Sequence, residues 1–130
     1  MNLDAFAELP NGLHDARLLD VSFSPIDDEL RLTIDAWIGD LAAADHLTRE
    51  RHRRCTVIVT GVGWFSIHPG ATSGEPPLID VGRGKADGFD VPDAPTGTTM
   101  WWLYLQNRNS FLHMAGRAAR LSFADGGASA

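Results

Sequence analysis

The stretch ELRLTIDAWI, residues 29–38, decides how the chain is read. Leu30, Leu32, Ile34, Ala36 and Ile38 alternate with Glu29, Arg31, Thr33, Asp35 and Trp37. Successive side chains of a strand point to opposite faces, so this order gives one apolar face for a core and one mostly polar face for water. Just upstream, Leu19, Val21 and Phe23 keep the same period of two. The polar turn at Ser24-Pro25 and Asp27-Asp28 separates the two runs, which predicts an antiparallel hairpin. The Asp28–Ile38 strand is expected at or near the centre of a sheet.

Working outward, residues 3–9 read as a short helix stopped by the turn cluster Pro10-Asn11-Gly12. Asp40 is placed to cap a second helix over residues 41–50, which are rich in helix formers. From Arg53 the strand period returns, with Cys55, Val57, Val59, Gly61, Gly63, Phe65 and Ile67 on one face. The other face carries Thr56, Ile58, Thr60, Val62 and Trp64, and the two glycines predict a bulge, a bend or a close backbone approach. Leu78–Val81 reads as a short strand between two Pro/Gly-rich loops. Met100–Leu105, with two tryptophans and a tyrosine, reads as a buried strand. Residues 110–123 fit either a helical stripe or a strand; Gly116 in the middle favours the strand.

The sum is about six strands and two short helices. The expected class is mainly β, α+β at most: a single antiparallel curled sheet or partial barrel with one or two short helices. Its 130 residues are expected to form one domain, frayed from about residue 126. The 11 basic and 17 acidic residues give a net charge of −6, which argues against general nucleic-acid or anionic-membrane binding. The opening residues lack a secretory pattern, no apolar run is long enough to span a membrane, and Cys55 is a lone cysteine. A cytoplasmic protein with no disulfide and no cofactor is the expectation.

Residues 9–16, Leu-Pro-Asn-Gly-Leu-His-Asp-Ala, run directly into the hairpin that ends at Trp37-Ile38-Gly39-Asp40. This resembles a group of small bacterial proteins of unknown function that open with a His-Asp-Ala element. The basic segment before Cys55, the Trp101–Leu105 strand and the Phe111–Ala115 run are similar to that group as well. A looser similarity is to bacterial immunity proteins, some of which carry Phe-His-Asp-Ala where this chain has Leu13 before His14. That resemblance implies a protein that binds and occludes a toxin; it supplies no catalytic residues.

Catalytic signatures are not evident. His14 is the weak candidate, as a general base or ligand lining a pocket, against a turn role for His14-Asp15. The five histidines lack metal-site spacing, so no metal is expected. Gly82-Arg83-Gly84-Lys85 has the glycines and lysine of a phosphate loop, but Ala86 stands where Ser or Thr is required. Arg51, Arg53 and Arg54 lie in a basic run that reads as an anion or acidic-partner patch, or as a solvated helix end. Trp37 and Trp64 both fall on the second strand face. They are expected either beneath residues 3–9 or at a protein contact, with a homodimer as the commonest self-contact. The reading is therefore a non-enzymatic, immunity-like protein-binding module that presents a sheet face to a protein partner or to itself. The alternative is a small ligand-binding protein or hydrolase using His14.

Overall fold

The computed structural model describes residues 12–13, 15–40, 42–67, 75–106 and 109–123. The elements run β1 (Arg17–Ser24), β2 (Glu29–Trp37), α1 (His46–Arg49), β3 (His52–Thr60), β4 (Trp64–Ile67), β5 (Ile79–Arg83), β6 (Thr99–Leu105), β7 (Ser110–Gly116) and β8 (Ala118–Phe123). All pairings are antiparallel, and the chain is mainly β as the alternation predicts. The eight strands divide into two four-stranded sheets, ordered β1-β2-β3-β8 and β4-β7-β6-β5, rather than the single curled sheet or partial barrel of about six strands expected, because two of the long runs change sheet partway.

Two long runs pass from one sheet to the other. The run from Arg53 to Ile67, read from sequence as a single strand, pairs as β3 with β8 and then as β4 with β7. The change of sheet falls at residues 61–63, where the two glycines predict a bulge, a bend or a close backbone approach. Gly61 has a positive φ of 61° and lies against the Arg117 side chain, so a Cβ there would be both strained and crowded. The partner run bends at the same level: Arg117 N–H donates to the Thr60 carbonyl, and Gly63 N–H donates to the Ala115 carbonyl. Residues 110–123 are thus strand rather than helix, but two strands rather than one. A second seam ties the start of β1 to the lead-in of β5, where Leu18 N–H donates to Pro77 O and Ile79 N–H to Ala16 O.

The core lies between the sheets. Leu30, Leu32, Ile34 and Ala36 face Cys55, Val57, Val59, Leu121 and Phe123, and meet Trp101, Leu103, Leu105, Leu112 and Met114 from the other sheet. Phe65, expected in this set, is half-buried and packs against its margin. On β1 the inward stripe differs from the expected Leu19, Val21 and Phe23. The register shifts between Leu18 and Asp20. The bulge absorbs Leu19 and turns Leu18 into the core instead, because one extra residue reverses the alternation upstream of it.

The helix expected over 41–50 is only α1. Asp45, not Asp40, caps it: the carboxylate accepts from Thr48 N–H and Thr48 Oγ1–H, which holds this acid below its ordinary range. Residues 3–9 and the tail from 126 lie outside the described residues.

Cys55 gives a reading of core integrity. It is buried, and burial pushes its thiol up to about 11 against the lowering effect of Arg53. Two units above an ordinary thiol leave about a hundredfold less thiolate near pH 8. Labelling by a disulfide reagent at pH 8 is therefore expected to be at least about a hundredfold slower in the native protein than in the urea-unfolded chain. Rates within tenfold of each other would place Cys55 outside the core.

Candidate functional site

The outer faces of the two sheets are built differently, and the difference starts in the residues at alternate positions. On the β4-β7-β6-β5 sheet these are aromatic. Trp102 stands opposite His113, and Tyr104 opposite Phe111. Ring centroids of Trp102 and Phe111 lie 5.5 Å apart, and those of Tyr104 and Phe111 4.8 Å apart. Gly82 is glycine for packing: the Trp102 indole lies across it and would overlap any Cβ. This accounts for the phosphate-loop-like Gly82-Arg83 as β5 sequence.

The loop after β5 folds back over that face. Phe89 sits edge-on to Phe111 at 4.8 Å and tilts against His113 at 5.3 Å. Ala86 N–H donates to His113 Nε2 at 3.1 Å. An imidazole nitrogen that accepts must be deprotonated, so His113 holds its proton on Nδ1. Further along the loop, Trp64 Nε1–H donates to Asp93 O at 3.3 Å. Ser66 stands opposite His113. Its Oγ is buried and makes no hydrogen bond among the described residues, while His113 Nε2 accepts from the Ala86 amide.

The outer face of the β1-β2-β3-β8 sheet is polar. Register sets its rows across the strands: Ser22, Arg31, Ile58 and Arg120; then Asp20, Thr33, Thr56 and Ser122; then Arg17, Asp35 and Arg54. Ile58, with Arg31 and Arg120 as its cross-strand neighbours, is only 3% exposed. Arg31 is paired with Glu29, with Nη2 to Oε1 at 2.6 Å and Nε to Oε1 at 2.9 Å. Asp35 reaches His52 Nδ1 at 3.7 Å. Among the described residues, Arg54 and Arg120 have no ion pair, and the hydroxyls of Thr56 and Ser122 have no hydrogen bond.

A cleft of about 240 Å³ opens at the bulge of β1, lined by Leu18, Leu19, Asp20, Val21, Ile67, Pro77 and Leu105. One carboxylate among six apolar side chains gives no set of convergent polar groups for catalysis. His14, expected in a pocket, lies outside the described residues; Asp15 beside it has the positive φ of 55° that suits a turn. No group of three or more His, Cys, Asp or Glu among the described residues is placed to hold a metal ion.

The expected binding residues do not form one patch. Trp37 and Trp64 belong to different sheets. Trp37 is buried: its Nε1–H donates to Arg49 O at 2.7 Å, and Gly39 leaves the space that this contact needs. It is therefore covered by the segment around α1, a cover not foreseen from the sequence. Trp64 is half-buried. Arg53 turns to the core side, its guanidinium 4.0 Å from the Phe123 ring centroid, whereas Arg54 is exposed on the outer face and Arg51 precedes β3. Residues 52–54 are strand rather than helix end, which splits the basic run between two faces. Arg120 and Ser122, absent from the expected site, are marked in sequence only by their alternation with Leu121 and Phe123. No family model, curated protein or solved structure matches the chain.

Proposed function

We propose that the chain is a non-enzymatic protein-binding module that offers the outer face of β1-β2-β3-β8 to a protein partner. The observation that carries this is the contrast between the two outer faces. One is occupied by the protein's own loop through Phe89; the other keeps exposed cations and hydroxyls without partners of their own. Unspent donors on a sheet face are suited to contacts at a polar interface. An immunity-like role, in which a small cytoplasmic protein occludes a toxin, is the biological form of this reading that the His-Asp-Ala resemblance suggests. No helix among the described residues is long and apolar enough to cross a membrane. The net charge of −6 favours protein over nucleic acid as the partner class.

A photo-crosslinking side chain placed at Thr33, on the open face, is expected to give a discrete adduct in the cells of origin. The same group at Asp90, in the loop over the other sheet, is expected not to give that adduct. An adduct at twice 14.1 kDa would identify the partner as a second copy of the chain. Equal adducts at both positions, or none at Thr33, would overturn the reading.

A further inference from the structure

We infer that Arg54, Thr56, Arg120 and Ser122 form a seat for carboxylates of an extended acidic segment of the partner, an inference that rests on the open-face reading. Thr56 and Ser122 are opposite each other on β3 and β8. Arg120 is opposite Ile58, two residues along β3 in one direction, and Arg54 lies two residues along in the other. The two cations thus stand at the ends of a short track with two hydroxyls at its middle. Four residues of strand separate the level of Arg120 from that of Arg54, about 14 Å.

Both arginines are exposed, neither has a counter-ion among the described residues, and neither hydroxyl is spent within the chain. Of the acids on this face, Glu29 holds Arg31, Asp35 stands opposite Arg54 and 3.7 Å from His52, and Asp20 shares a row with Thr56 and Ser122. An extended peptide repeats side chains of one face at about 7 Å, so carboxylates at positions i and i+4 match the two guanidinium groups. A side chain at i+2 would then stand over the hydroxyl pair. Guanidinium–carboxylate contacts are charge-assisted, and the planar fork favours this ligand. A single phosphate cannot span the track.

The test is an NMR titration with the blocked peptide Glu-Thr-Glu-Thr-Glu, with Lys-Thr-Lys-Thr-Lys and inorganic phosphate as comparisons. The acidic peptide is expected to shift the amides of Thr56 and Ser122 and the Nε–Hε signals of Arg54 and Arg120 in a saturable way. Arg54→Gln with Arg120→Gln is expected to weaken binding at least tenfold while leaving the remaining amide spectrum in place. Arg54→Gln alone, farther from Ile58, keeps the test valid if the double variant loses its fold, and is expected to weaken binding severalfold. Shifts elsewhere, unchanged affinity in the single variant, equal binding of the basic peptide, or the same saturable pattern with phosphate would each overturn the seat. Failure here with the Thr33 adduct still formed removes the seat and leaves the open face; loss of that adduct removes both.

Discussion

Trp101→Ala is expected to destabilise the protein by about 3–5 kcal/mol, the largest single-residue loss in the chain. Trp101 is fully buried, stands opposite Met114 on β7 and Arg83 on β5, and reaches the core between the sheets. Removing the indole leaves a void that Leu103, Leu112 and Met114 cannot close without leaving their own positions, because their backbones are fixed in the β6-β7 ladder. Trp102 is the internal control. It is the next residue, the same side chain, and half-buried on the opposite face. Trp102→Ala is expected to cost less, because the ring gives up packing on Gly82 and Phe111 at a partly solvated surface. Urea unfolding of both variants measures the difference. A Trp102 variant less stable than the Trp101 variant would show the β6 faces reversed.

Leu32→Ala carries the second-largest expected loss, about 2–5 kcal/mol. Leu32 is 1% exposed, with Val21 and Val57 as its cross-strand neighbours. It sits in the middle of β2, an interior strand, so the cavity is bounded on both sides by paired backbone that cannot collapse into it. Its neighbour Thr33, on the open face, is expected to tolerate alanine within about half a kcal/mol. The pair tests register directly, since a shift of one residue would exchange the two values. A Leu32 loss below about half a kcal/mol would overturn the assignment of the inner face.

Residues 29–38 show how much of the fold was legible in the chain. Alternation at Leu30, Leu32, Ile34 and Ala36 is a local property: a strand's faces follow from backbone geometry alone, and all four residues are buried as read. The hairpin to β1, the bend at Gly61 and Gly63, and the short strand near Leu78 were legible for the same reason, through turn residues and missing side chains. Phase on β1 was not. The bulge at Leu19 depends on how the strand meets the Pro77 and Leu78 backbone across the seam, which is a nonlocal contact.

The candidate site divides along the same line. The sequence placed Thr56 on the opposite face from Cys55 and Val57, and alternation was enough to do so, whereas Arg54 was read with a helix end. It did not reveal that 52–67 and 110–123 cross between two sheets, which separates Trp37 from Trp64 and brings β8 alongside β3. Pairing partners 45 to 68 residues apart leave no periodic trace in either segment. Which outer face stays open was likewise a tertiary matter. Both faces carry large or polar side chains at alternate positions; among the described residues, Ala86 and Phe89 return onto His113 and Phe111 of one of them. The sequence by itself determined which side of each central strand is apolar, because that is set by the period of the backbone. The tertiary structure decided which strands are neighbours and which face the chain itself covers, because those depend on contacts between segments that the local pattern does not encode.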